Sequence, residues 1–208
     1  MKYKKRNTVI AVSGASHSGK TTFIENAVKE YPNDVLILDE IIRSNNINID
    51  EIRKSPGEYL DLEIDIITKK IDAEEIIDLN YNGKVIFTDR SLVDSYFYYT
   101  FYMDKSNFTD EQKEKYHNFL SFLKLKMYDH CNYLYNLIFM FEPITEIKRR
   151  DEFTVSDIEL VQANEYFFIK NFTYGICENQ RKVIDLNPEI ASVIVKNIIE
   201  GKSDVKNI

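Results

Sequence analysis

The sequence predicts an α/β domain built as three layers, a parallel sheet with helices packed on both faces. Five short and continuous apolar runs recur along the chain, as strands buried on both faces require. Between them lie stretches whose apolar residues repeat at helical spacing. The first run breaks into a glycine-bounded loop and then a helix, and strand-helix alternation continues to the C-terminus. A chain of 208 residues suits one domain, expected over 1–208 with 1–7 and 202–208 as flexible ends.

Each element has a local reason. Val9-Ile10-Ala11-Val12 reads as the first buried strand, and the helix after the loop carries Ile24, Ala27, Val28 and Tyr31 on one face until Pro32-Asn33-Asp34 stops it. Val35-Leu36-Ile37-Leu38 is the second strand. Ser55-Pro56-Gly57-Glu58 predicts a capping box with proline in the first helical turn, opening a helix with Leu60, Ile64, Ile67 and Ile71 on its inner face. Asn82-Gly83 closes that segment, and Val85-Ile86-Phe87-Thr88 is the third strand. Thr109-Asp110-Glu111-Gln112 predicts a second capping box, with a helix to about Tyr135 bearing Phe119, Phe122, Leu123 and Met127. Leu137 to Phe141 is the fourth strand. Ser156-Asp157-Ile158-Glu159 predicts a third capping box before an aromatic-rich helix. Lys182 to Leu186 is the fifth strand, and the last helix runs from about Pro188 to Gly201.

Composition narrows the function. The formal charge of −7 argues against sequence-blind duplex binding, which needs a basic stripe to displace counterions. It leaves room for a small anion in a local basic pocket. Cys131 and Cys177 form no C-x-x-C pair and are expected to be reduced thiols, neither a disulfide framework nor a zinc site. The basic Met1-Lys2-Tyr3-Lys4-Lys5-Arg6 precedes too short an apolar run for a signal peptide, and no run approaches the ~18 apolar residues of a membrane span. The expected setting is cytoplasmic, with no membrane partner. Homodimerisation stays open.

The specific motif is Gly14-Ala15-Ser16-His17-Ser18-Gly19-Lys20-Thr21, which fits G-x-x-x-x-G-K-[ST] between a strand and a helix. Glycines let successive backbone N–H groups curl around a phosphate, and the helix N-terminus adds its positive dipole end. Gly14 to Thr22 are therefore candidate ATP (or other nucleoside triphosphate) ligands, His17 through its backbone. Lys20, expected as an exposed loop lysine, would reach the β- and γ-phosphates, and the Thr21 hydroxyl would ligate Mg²⁺.

Two strands end in acidic residues. Val35-Leu36-Ile37-Leu38-Asp39-Glu40 imitates the acidic strand end of an ATPase motor, but it follows the loop's own helix directly. A metal-holding acid belongs on the strand beside the loop strand, reached by a longer crossover. Val85-Ile86-Phe87-Thr88-Asp89-Arg90 fits that position, with Asp89 at the Mg²⁺ shell and Arg90 at a phosphate. No [NT]-K-x-D guanine-reading motif occurs, and the length leaves little space for a motor's second helical domain.

The phosphate loop, Glu40-x-x-Arg43, Asp89-Arg90-Ser91 and the later Lys148-Arg149-Arg150 together resemble P-loop nucleoside and nucleotide kinases. The likeness is greatest to the ribosylnicotinamide-kinase-like branch with its AAA-type ATPase domain, with deoxynucleoside and thymidylate kinases as relatives. That resemblance implies a P-loop NTPase fold with sheet order 2-3-1-4-5 and a helical lid. It implies that Asp39 or Glu40 takes the acceptor's proton, that Glu40, Arg43, Asp89 and Arg90 meet the acceptor, and that Arg149 and Arg150 close over the transferring group. Tyr96, in the run Tyr96 to Tyr102, is a candidate to stack on an acceptor ring, and Asn187-Pro188 marks where the adenine would lie. The implied function is an ATP- and Mg²⁺-dependent kinase of a nucleoside, nucleotide or nicotinamide-riboside-like small molecule. Two alternatives remain: a kinase of a polynucleotide end or a hydroxymethylated DNA base, which the charge disfavours, and a non-catalytic nucleotide-binding regulatory module.

Overall fold

A computed structural model of the chain describes residues 7–38, 55–101, 103–143 and 158–202. Its strands are β1 (Thr8–Gly14), β2 (Val35–Leu38), β3 (Val85–Asp89), β4 (Leu137–Phe141) and β5 (Val183–Leu186). The helices among the described residues are α1 (Lys20–Glu30), α2 (Pro56–Asn80), α3 (Leu92–Phe101), α4 (Asp110–Asp129), α5 (Ile158–Ile176) and α6 (Pro188–Ile199). All strand pairs are parallel, in the order β2-β3-β1-β4-β5. This is the three-layer P-loop NTPase arrangement, with the expected strand order.

Period-two alternation divides the sheet's side chains between two cores. Ile10, Val12, Phe87, Phe139 and Phe141 face α1 and α6, where they meet Phe23, Ile24, Ala191 and Val195. Phe23 sits edge-on to Phe87 with centroids 5.4 Å apart and lies 5.3 Å from Phe141. Emptying such a site costs about 3–5 kcal/mol. Val9, Ala11, Ile138 and Met140 face the opposite way, toward Leu60 and Ile67 of α2, Phe97 of α3, Leu123 of α4 and Ile169 of α5.

Local chemistry departs from expectation at identifiable points. The capping box of α4 forms in full, Thr109 and Gln112 exchanging bonds of 2.9 and 3.2 Å. That of α2 does not: Ser55 occupies the N-cap position without a side-chain bond, and proline in the first turn suffices to start the helix. The third box, at Ser156, lies outside the described residues. The buried stripe of α4 is Tyr116, Leu123 and Met127, whereas Phe122, one position off it, is 39% exposed. The helix expected to reach Tyr135 gives way after Asp129 to one π turn, His130–Leu134, closed by Tyr135 N–H on His130 O at 2.8 Å. Lys182 ends a 3₁₀ turn (Gln180–Lys182) rather than starting β5, and its ammonium caps the carbonyls of Asn132 and Tyr135.

That π turn delivers His130 and Tyr135 to a carboxylate inside the protein. Glu74 of α2 is fully buried and accepts from His130 Nδ1 (2.7 Å), Tyr135 OH (2.8 Å) and Thr88 Oγ1 (2.5 Å), with Lys70 Nζ 2.7 Å away. Burial pushes the Glu74 carboxyl up, but the Lys70 charge and the His130 bond outweigh it and bring it down to about 2, from 4.5. With the folded value below the unfolded one, the unfolded chain takes up this proton first as pH falls. Stability that is complete above pH 4.5 is therefore lost on acidification toward 2. In urea unfolding, the wild type is expected to lose about 2 kcal/mol more than Glu74→Gln between roughly pH 6 and pH 3. Parallel pH profiles for the two proteins would show that folding leaves the Glu74 pKa where it is in the unfolded chain, and a wild type that gains on acidification would show the carboxyl buried uncharged.

Candidate active site at the phosphate loop

The loop between β1 and α1 is shaped by backbone demands that side chains reinforce. Gly14, at φ +123°, lies so close to the Phe141 carbonyl that a Cβ would collide with it. Gly19, at φ 85°, is the N-cap of α1 and offers no side-chain acceptor, which leaves the first-turn N–H groups for an anion. His17 adopts a left-handed φ of 58° and so turns the loop at that point. Lys20 is 5% exposed rather than an open loop lysine. Its ammonium folds back to donate to Gly14 O (3.0 Å), Ala15 O (2.5 Å) and Ser18 Oγ (3.1 Å). Burial, then the nearby Arg90 charge, lowers its pKa to about 8, against the pull of Asp94, Asp89 and Glu165.

Parallel pairing sets Val12 of β1 level with Asp89 of β3. In the first turn of α1, Thr21 Oγ1 then donates to Asp89 Oδ2 at 3.0 Å. The other oxygen, Asp89 Oδ1, is buried with no hydrogen-bond partner among the described residues. A buried carboxylate oxygen without a donor is costly unless a cation completes it. Thr21 and Asp89 thus fit a Mg²⁺ ion, which commonly takes one or two protein oxygens and fills its octahedron with phosphate and water. Among the described residues no cluster of three or more acids, histidines or cysteines offers a closed metal cage. Asp39, which follows β2 in sequence, lies outside the described residues, as do Glu40, Arg43, Arg149 and Arg150.

Arg90, next in sequence, holds a left-handed φ of 70°, a conformation costing a non-glycine residue about 1 kcal/mol or more. Its N–H bonds to Val12 O at 3.0 Å, its guanidinium donates to Tyr98 OH at 2.6 Å and lies 4.6 Å over the Tyr98 ring. Tyr96 instead stacks on Phe172 of α5 at 5.0 Å, so the tyrosine that meets the loop is Tyr98, two positions on. The sequence reading missed three other contributors. Asp94 is fully buried and accepts from Ser91 N–H (2.8 Å), Ser91 Oγ (2.6 Å), Gly14 N–H (3.3 Å) and Ser13 Oγ. It pins the loop's first glycine to the start of α3, and Ser91-x-x-Asp94 is itself a capping-box spacing. Gln162 and Glu165 of α5, each 2% exposed, hold the Ser16 peptide from both ends: Gln162 Nε2 donates to Ser16 O at 2.6 Å, and Ser16 N–H donates to Glu165 Oε2 at 2.8 Å. Tyr98 OH lies 3.1 Å from both Glu165 Oε1 and Ser16 Oγ.

The family model described as an AAA domain matches residues 9–187. No curated protein matches the chain. Among solved structures, NadR in complex with NAD and AMP-PNP superposes with TM-score 0.65 at 17% identity, covering 95% of this chain and 51% of that one. NadR in complex with NR gives 0.67 at 19%, covering 94% and 52%. The chain thus spans about half the length of the NadR chains it matches. Deoxyadenosine kinase from M. mycoides gives 0.58 at 14% identity, covering 94% of this chain and 100% of that one. Thymidylate kinase from Candida albicans gives 0.53 at 16%, covering 95% and 92%.

Calorimetric titration of Lys20→Ala with an ATP analogue is expected to show affinity reduced at least about tenfold, since a charge-assisted bond is worth about 1.5–3 kcal/mol. Unchanged affinity would mean that the ammonium stays turned onto its own loop when nucleotide binds.

Proposed function

This chain belongs to the AAA domain family, and on that premise we propose that it is an ATP- and Mg²⁺-dependent kinase acting on a nucleoside, nucleotide or nicotinamide-riboside-like small molecule. The observation that supports this most is the orphaned Asp89 Oδ1 beside Thr21, at the mouth of a loop whose N–H groups and lysine suit a triphosphate. Bound NadR ligands in similar folds, AMP-PNP in one structure and NR in another, favour the same donor and acceptor class.

In this reading the loop N–H groups and Lys20 hold the β- and γ-phosphates, Lys20 exchanging the Gly14 and Ala15 carbonyls for phosphate oxygens. Thr21 and Asp89 would hold Mg²⁺, whose chemistry there would be to offset the negative charge of the phosphate oxygens. The acceptor hydroxyl oxygen attacks the γ-phosphorus, the bond from that phosphorus to the β,γ-bridging oxygen breaks, and ADP leaves with the electron pair. The acceptor proton passes to a carboxylate, Asp39 or Glu40. Arg149 and Arg150 cover the charge that develops between donor and acceptor.

An acceptor screen with radiolabelled ATP, spanning nucleosides, monophosphates, nicotinamide riboside and oligonucleotides, is expected to yield a labelled small-molecule product. Arg149→Ala or Arg150→Ala should lower kcat about 10³-fold, the lower end for an arginine finger. The ATP Kd should move less than about tenfold, because such an arginine acts on the transition state. Normal transfer by both variants would remove the arginines from the reaction. ATP binding by the wild type without transfer to any acceptor would leave a nucleotide-binding module.

A further inference from the structure

Asp89 is the last residue of β3, and the chain turns sharply at the next position. Alternation along the strand puts neighbouring side chains on opposite faces of the sheet. Asp89 meets α1 through Thr21, whereas Thr88 meets α2 through Glu74. The helix of the phosphate loop thus contacts the Asp89 side chain from one face, and α2 reaches the backbone behind it from the other.

Lys70 of α2 makes that second contact. Its side chain is 15% exposed, and its ammonium lies 2.5 Å from Thr88 Oγ1, 2.7 Å from Glu74 Oε1 and 3.4 Å from the Asp89 carbonyl oxygen. Three acceptors match the three N–H donors of a lysine. Both ends of the Asp89–Arg90 peptide are therefore held: its N–H by Val12 O at 3.0 Å, its carbonyl by Lys70. Thr88 Oγ1 also lies 3.3 Å from the Arg90 carbonyl, so the contacts of one ammonium run through residues 88, 89 and 90. This is the segment in which Arg90 stands at a φ of 70°. Such a conformation persists where its surroundings over-determine it.

Glu74 in turn aims the lysine. It sits one helical turn along α2, fully buried, and is itself fixed by His130 and Tyr135. A flexible side chain is thereby given one direction, toward the end of β3.

Resting on the kinase proposal and its Mg²⁺ site at Asp89, we infer that Lys70 is a positioning residue for the metal-holding acid. By holding the Asp89–Arg90 peptide from the α2 face, it keeps the Asp89 carboxylate turned toward Thr21 and the cation. It acts through the peptide, and Glu74 is its anchor.

Calorimetric titration of ATP into the full chain over a series of Mg²⁺ concentrations tests this. Mg²⁺ should tighten ATP binding to the wild type at least about tenfold, or 1.4 kcal/mol. In Lys70→Met the Mg²⁺ concentration giving half of that gain should rise about tenfold or more, the lower end for an outer partner of a metal ligand. The metal-free ATP Kd should stay within about threefold, well under 1.4 kcal/mol. Without metal or nucleotide, the Arg90 amide should exchange its hydrogen at least about tenfold faster in the variant, because its peptide has lost one of two holds. Ile198 of α6 lies by Val85, at the opposite end of β3, and Ile198→Ala is the control. It should lose stability yet keep the wild-type Mg²⁺ half-point. Should Lys70→Met fail to fold with the Glu74 charge left without its cation, the double variant Lys70→Met with Glu74→Gln removes both charges and carries the test. A folded variant with the wild-type half-point, or an equal rise in Ile198→Ala, overturns the inference and leaves the Asp89 site standing. A wild type with no Mg²⁺ gain overturns the inference together with the metal site it rests on.

Discussion

Parallel pairing of β1 with β3 is the constraint on which the rest of the site depends. It sets Val12 level with Asp89, so the strand that ends in the phosphate loop and the strand that ends in the acid finish side by side. The helix entered through Gly19 then brings Thr21 within 3.0 Å of that acid. Arg90 is strained into a left-handed turn at the same point, tied to Val12 by its own N–H. A one-residue slip in this register would point Asp89 to the other sheet face and part it from Thr21.

Behind that edge the protein places polar groups in its interior and pairs them through shared networks, with His130 Nε2 left as a buried atom without a hydrogen bond among the described residues. Glu74 ties α2, β3 and the π turn together through Thr88, His130 and Tyr135, while Lys70 reaches the Asp89 carbonyl at 3.4 Å. Asp94 does the same for the first glycine of the loop and the start of α3. Such buried networks fix one arrangement because leaving any member unpaired is expensive. The fold therefore holds the loop's glycines, its helix and its acid in place together. The group left to move is the Lys20 side chain, folded onto carbonyls that phosphate oxygens can replace.

The sequence reveals whatever is demanded locally. Glycines at 14 and 19 are required by the backbone itself, and Lys20 and Thr21 follow at fixed spacing. Asp89 was legible because a long crossover after α1 places β3, not β2, beside β1. Thr109 and Gln112 formed the box their spacing announced, whereas Ser55 did not. Residues that act across the fold left weak traces. Gln162 and Glu165 reach a loop 146 and 149 positions away, and only their i, i+3 spacing on the face of α5 that also buries Ile169 and Thr173 distinguishes them. Tyr98 rather than Tyr96 meets the loop because Phe168 and Phe172, far along the chain, take the Tyr96 ring. Asp94 had a readable signal in Ser91-x-x-Asp94, hidden by the more prominent Asp-Arg step before it.

The central claim is that Thr21 and Asp89 form the protein's share of a Mg²⁺ site for a bound triphosphate. Calorimetric titration of ATP, with and without Mg²⁺, into wild type and Asp89→Asn tests it most directly. Mg²⁺ should tighten ATP binding to the wild type at least about tenfold, equivalent to 1.4 kcal/mol, and that gain should vanish in Asp89→Asn while metal-free binding persists. An equal gain in both proteins would place the metal on other ligands and contradict the account.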